Sequence, residues 1–354
     1  ISVVDAQPKY HVGQLLLIKV VAKDSKGRAK SHGGDFFRTK LLSTAPVMAS
    51  TTGRVTDLNN GTYIARFKLS WPGNLSVSVQ LTHSSEAVEV LKRIRDKVPK
   101  RRIMICGFMD EDTNNSEWTT CTNNVVKHVN LRDVCEFSKP TINVSFYCQR
   151  PKHPIHCASI TACPRMKIIT NTLFTPTSRN PESSMELSSK KHNIHLKFSF
   201  HHFPRNVNNA KKAAEVKQLT YVSEGIDDIV GGPNVVIIVG LWAHYMAEPM
   251  ETFRSRVWGI RHAIERLHSR YPDTMVIWRT SNTNHHDKLF HFLENSDWYA
   301  RQILLEVKKI LKDLNVVILD VWEMSQSMWH NATLHPPKDV IKEHVNMLLS
   351  YICP

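Results

Sequence analysis

A chain of 354 residues that is 42% hydrophobic is long enough for two domains with separate cores, so disorder is not its default state. No apolar run of about 18 residues occurs, which excludes a membrane span within this sequence. The net charge of +14 suits an acidic partner, but it is spread along the chain and no nucleic-acid-binding module accompanies it, so nucleic acid is not expected as a partner.

The sequence opens at Ile1 without a basic-then-apolar leader, so a processed or truncated N-terminus is expected, with any signal or anchor outside it. Residues 1–100 read as strands. In "GTYIARFKLSW" the residues Tyr63, Ala65, Phe67, Leu69 and Trp71 alternate with polar ones. Leu75, Val77, Val79 and Leu81 repeat the pattern after a "PGN" turn, which predicts antiparallel sheet with one buried face. A small β-sandwich of immunoglobulin or filamin type is the expected first domain. The densest basic run, "KRIRDKVPKRR" at residues 92–102, reads as a solvated face or linker.

Residues 101–165 hold six of the seven cysteines, Cys106, Cys121, Cys135, Cys148, Cys157 and Cys163, with Cys353 far off at the other end. Their spacings lack the paired Cys and His patterns of a zinc site, so no metal is expected and a disulfide framework is the better reading, with the pairing left open. That implies an oxidising compartment. The sequons at Asn60, Asn74, Asn114, Asn143 and Asn331 agree with the secretory route. Residues 166–232 are rich in Thr, Ser, Asn and Pro at their start and read as a linker leading into the next domain.

Residues 233–354 alternate strands and helices. "NVVIIVG", "MVIWRT" and "NVVILD" are apolar strands; Phe253, Val257, Ile260, Ile264 and Leu267 stripe one helix, and Ile303, Leu304, Val307, Ile310, Leu311 and Leu314 another. A last helix carries Val340, His344, Met347 and Leu348. This predicts a parallel sheet covered on both faces, with any ligand at the carboxyl ends of its strands.

Those ends set the candidate site. His335, ahead of Pro336 and Pro337 at the approach to the last helix, is the candidate general base, and Asp320 at a strand end is a candidate to orient it or, equally, to cap the next turn. His244 and Trp242 follow another strand end and would wall a pocket, and Asn282 could donate to an oxyanion or a sugar hydroxyl. The pairs His201–His202 and His285–His286 suggest metal only weakly, because adjacent side chains diverge. A hydrolase or acyltransferase of this architecture also needs a serine presented after the first strand, usually in Gly-Asp-Ser, and the sequence contains no such tripeptide.

Longer stretches carry a resemblance. "GGDFFRTKLLS", "GRVTDLNNGTYIARFKLSWPGNLSVSVQLTHSSEAV" and "FYCQRPKHPIHCAS" resemble the neurexophilin-like region of the neurexophilin and PC-esterase (NXPE) family. "HSRYPDTMVIWRTSNT", "ILDVWEMSQS" and "LHPPKDVIKEHVNMLLSYIC" resemble its PC-esterase region, so the similarity covers nearly the whole chain. The resemblance implies a β-sandwich followed by an α/β domain of SGNH (PC-esterase) type, in a secreted or Golgi-lumenal glycoprotein. It also implies carbohydrate O-acetyltransferase or esterase chemistry on a glycan or glycoprotein, sialic acid included, with acetyl-CoA as acetyl donor and no permanently bound cofactor. Two departures set this chain apart. The Gly-Asp-Ser block is missing between Cys163 and Glu186, which leaves the α/β domain incomplete, and the expected Asp three residues before His335 is Ala332. Impaired catalysis is therefore expected, the alternative function being a secreted module that binds a cell-surface receptor or glycan through its β-domain.

Overall fold

The computed structural model describes residues 1–97, 102–122, 130–142, 144–168, 184–199, 205–206, 219–246, 248–328 and 335–353. The N-terminal strands are β1 (Ser2–Val3), β2 (Leu15–Val21), β3 (Phe36–Ser43), β4 (Ala49–Thr52), β5 (Arg54–Asp57), β6 (Thr62–Lys68) and β7 (Ser76–His83). They form two antiparallel sheets, ordered β1-β2-β6-β5 and β4-β3-β7. Alternation does what the pattern predicts: Leu16, Ile18 and Val20 of β2 and Tyr63, Ala65 and Phe67 of β6 point inward to meet Leu41 of β3 in a separate core. Gly61 makes the tight turn before β6 possible, since its φ is +78° and a Cβ there would lie 2.0 Å from the Lys30 carbonyl oxygen.

The sandwich ends in a helix that the reading of residues 1–100 as strands did not include. Helix α1 (Ser85–Lys97) starts where the Ser84 hydroxyl accepts from the Ala87 N–H, and its first residue is held by Asp35, which accepts from the Ser85 N–H at 2.7 Å. The basic run is thus not only a solvated face. Val88, Leu91 and Arg95 form the buried side of α1, and the Arg95 guanidinium lies over the Trp298 ring at 5.0 Å.

The cysteine-rich segment contains β8 (Arg102–Met109), β9 (Ser116–Thr122), β10 (Val134–Glu136), β11 (Tyr147–Gln149) and β12 (Ile160–Ile168), in one antiparallel sheet ordered β10-β11-β9-β8-β12. All six clustered cysteines are paired, as Cys106–Cys163, Cys121–Cys148 and Cys135–Cys157, and Cys353 is free and exposed. Cys148 of β11 lies directly opposite both Cys121 of β9 and Cys135 of β10, and it bonds to Cys121, while Cys135 bonds to Cys157. The sequons at Asn60, Asn74 and Asn114 are exposed, while Asn143 and Asn331 lie outside the described residues. Short hairpins follow, β13 (Ser184–Ser189) with β14 (Ile194–Ser199) and β15 (Arg205–Asn206) with β16 (Leu219–Thr220).

The last part runs α2 (Val222–Asp227), β17 (Val236–Val239), α3 (Met250–Arg270), β18 (Met275–Arg279), α4 (Leu289–Glu294), α5 (Asp297–Ile310), β19 (Val317–Leu319), α6 (Trp322–Ser327) and α7 (Lys338–Ile352). Its sheet is parallel and ordered β17-β18-β19. Every residue of the Phe253-to-Leu267 stripe is buried, and on the other face Met347, Leu348 and Ile352 of α7 pack on Ile277, Leu319 and Val321. Coverage of both faces holds for the centre of the sheet but not for its margin. Among the described residues no strand pairs with the outer edge of β17, and Ile238 is 48% exposed. One continuous core links Phe108 and Phe146 of the cysteine-rich segment to α3 and α5, whereas the sandwich keeps its own.

Candidate functional site

The carboxyl ends of β17, β18 and β19 deliver the loops that begin at Gly240, Thr280 and Asp320 to one edge, as parallel strands must. At that edge a residue that the sequence reading passed over takes the central place. Arg279 closes the middle strand, and its Nη2 donates to Asn282 Oδ1 at 2.8 Å. Its guanidinium lies over the Trp242 ring at 5.8 Å. Two of the expected pocket residues, Trp242 and Asn282, are therefore brought together through a cation, and both are buried. The signal was present in the sequence, because a charged residue ending a fully apolar strand has to be solvated or partnered.

Arg279 makes no ion pair among the described residues, and burial pushes its guanidinium down to about 10. Among the described residues its guanidinium is held by a neutral amide and an indole and by no carboxylate. Asn282 also donates its Nδ2–H to the Thr283 carbonyl oxygen at 3.1 Å, which fixes the amide orientation toward Arg279.

Asp320 has other commitments. Its Oδ1 accepts from the Trp322 N–H at 3.1 Å at the start of α6 and from the Thr280 hydroxyl at 3.3 Å, and its Oδ2 pairs with the Lys308 ammonium. The bond to Trp322 closes an Asx turn ahead of α6, whose N-cap is Val321. His335 stands exposed two residues before Pro337, the cap of α7, and His244 lies half-buried in the one-turn helix Ala243–Tyr245.

The imidazole that does lie close to this edge is His344 of α7. Its Nε2 is 3.4 Å from Ser325 Oγ, and burial, with the Arg279 charge nearby, holds it down at about 4. It is neutral at physiological pH. Ser325 is not a nucleophile prepared by it, since the hydroxyl donates to the Val321 carbonyl oxygen at 2.6 Å. Ser281, at the end of β18, donates in the same way to the Ala300 carbonyl oxygen at 2.9 Å. Both serines are buried with their protons directed to backbone oxygens, the reverse of an activated hydroxyl exposed on a turn.

For metal, the sulfurs of Cys106, Cys121 and Cys148 lie within 4.8 Å of one another, but as disulfide sulfurs they carry no thiolate. Of the adjacent histidine pairs, His201–His202 lies outside the described residues, and His286 Nε2 accepts from the Asp297 N–H at 3.1 Å.

Comparison with known families divides the chain at residue 164, within β12. Residues 164–353, more than half of it, match the family described as NXPE family member 4-like, C-terminal domain, and residues 4–164 match neurexophilin. The chain belongs to the NXPE family. The neurexophilin match spans both the sandwich and the disulfide-bonded sheet, and its end at residue 164 falls just after the last disulfide cysteine, Cys163. Three disulfides and NXPE-family membership make this a secretory-pathway protein. Among the described residues no helix is long and apolar enough to cross a membrane.

Proposed function

We propose that this NXPE-family chain is a glycan-binding homologue of carbohydrate O-acetyltransferases and esterases of the PC-esterase type, one that keeps the binding crevice at the strand ends and does not form an acyl-enzyme. The observation that carries the reading is Arg279, a guanidinium fixed by Asn282 and Trp242 and, among the described residues, without an anionic partner. A carboxylate-bearing sugar such as a sialic acid supplies the missing charge, and a charge-assisted bond to the remaining guanidinium N–H groups orients the ring against Trp242. The loss of acyl chemistry is supported by Asp320, committed to Lys308 and the turn ahead of α6, and by the hydroxyls of Ser281 and Ser325, which face backbone oxygens.

The test is titration of the full chain with a sialylated oligosaccharide beside its asialo form. Arg279→Gln, which can keep the contact to Asn282, should weaken the sialylated ligand by about 10- to 100-fold, the value of one charged hydrogen bond. Equal affinity for both sugars, or an unchanged variant, refutes the reading. A serine-directed fluorophosphonate should leave the protein unlabelled; stoichiometric labelling abolished by His335→Ala would restore the enzyme assignment.

A further inference from the structure

The outer face of the first sheet of the sandwich carries charge of one sign. Inward positions of β2 and β6 fill the core, so Leu15, Leu17, Lys19 and Val21 of β2 and Ile64, Arg66 and Lys68 of β6 face outward. Arg54 of β5 lies directly opposite Arg66, while Lys68 lies opposite Leu15 and Lys19 opposite Ile64. No acidic residue occupies an outward position on these strands or on β1. The side chains of Lys19, Arg66 and Lys68 have no hydrogen-bond or ion-pair partner among the described residues, and that of Arg54 reaches only the exposed Glu323 of α6, at 3.3 Å. Like charges directly opposite on a sheet destabilise it, and nothing in the sandwich uses them.

We propose that this face binds a sulfated polysaccharide, independently of the crevice at Arg279. The cations meet the sulfates, and the aliphatic side chains between them, Leu15 and Leu17 in particular, meet the C–H faces of the sugar rings. The three disulfides favour this occupant over other polyanions, because they assign the chain to the oxidising side of the membrane. Nucleic acid is not the resident polyanion there, and the strongly anionic lipid leaflet faces the cytoplasm.

The test uses the full chain with heparin, chemically desulfated heparin, phosphatidylserine vesicles and duplex DNA as probes. A triple variant, Lys19→Ser with Arg66→Thr and Lys68→Ser, should weaken heparin binding by about tenfold at near-physiological salt and flatten its salt dependence, as loss of polyanion contacts does. A second triple, Lys312→Ser with Lys338→Ser and Lys342→Ser, removes the same charge elsewhere and should bind as the parent does. Equal losses in the two triples mean attraction by net charge alone and overturn the proposal, as does binding to vesicles or DNA that matches heparin in strength and in sensitivity to the first triple. Arg279→Gln should leave heparin binding unchanged, which separates this site from the glycan crevice. Arg66→Thr alone relieves the repulsion from Arg54 and should keep or raise the thermal midpoint, so it repeats the binding test if the triple variant fails to fold.

Discussion

Arg38 of β3 donates through Nη1 to Asp297 Oδ2 at 2.9 Å, a buried ion pair that fastens the β-sandwich to the first turn of α5. The same guanidinium donates to the Asn284 carbonyl oxygen at 3.2 Å, and the Asn284 N–H returns to Asp297 Oδ1 at 2.7 Å, so strand, loop and helix close into one ring of bonds. Burial pushes the Asp297 carboxyl up to about 6 against the pull of Arg38.

Breaking one half of this pair should cost far more than replacing both halves. Arg38→Met or Asp297→Leu alone leaves an uncompensated buried charge, with an expected loss of about 3–5 kcal/mol, whereas the double variant should recover most of it. Chemical denaturation of the four proteins of the cycle measures this. Additive losses would mean that the two groups do not act as a pair.

Acid should loosen the same junction through His83. Its ring lies 5.1 Å from that of His286 and 5.6 Å from that of Phe292, and among the described residues neither of its nitrogens has a hydrogen-bond partner. Burial, then the nearby His286 and Arg38, hold His83 down at about 3, and burial holds His286 at about 4. A base whose folded value lies below its ordinary 6.5 contributes full stability above that pH and loses it as pH falls toward the folded value, because the unfolded chain binds the proton first. Asp297 acts in the opposite direction, taking up a proton on folding between about 6 and its ordinary 3.8, and offsets part of the loss. The thermal midpoint should therefore drop as pH falls from about 6.5 toward 4, and His83→Phe should make that drop shallower without loss of stability at neutral pH. An identical pH profile in the variant would remove His83 from the account.

The open edge of the parallel sheet gives a third expectation. Ile238 is 48% exposed on β17, whose outer backbone edge has no strand partner among the described residues. Ile238→Lys should lower self-association at high concentration while leaving the unfolding midpoint nearly unchanged, since a lysine on an edge strand opposes pairing with a second chain. Light scattering and thermal denaturation on the same samples distinguish this from a core effect, in which the midpoint would fall.

Much of the architecture is legible in one dimension because the signals are local. Alternation on β2 and β6 marks the sandwich, and the spacing from Phe253 to Leu267 marks α3, since each element buries one face whatever it packs against. Helix α1 escaped because its Lys and Arg residues mask the Val88–Leu91–Arg95 stripe, although Ser84 stood in the capping position. The site divides in the same way. Trp242 and Asn282 could be placed at the strand-end edge from the sequence, and their meeting at Arg279 could not, because it depends on which residues come to rest beside it.

By itself the sequence determined the alternating strands of the sandwich, the strands and helices of residues 233–354, the six cysteines that would bond and the missing Gly-Asp-Ser, all properties of short segments and of composition. Only the tertiary structure decided the disulfide pairing, the commitment of Asp320 to Lys308, the pairing of Arg38 with Asp297 across 259 positions and the placement of Arg279 against Asn282 and Trp242. The physical reason is that a charge is satisfied by whatever lies within a few ångströms of it, and chain separation says nothing about that distance until the fold has closed.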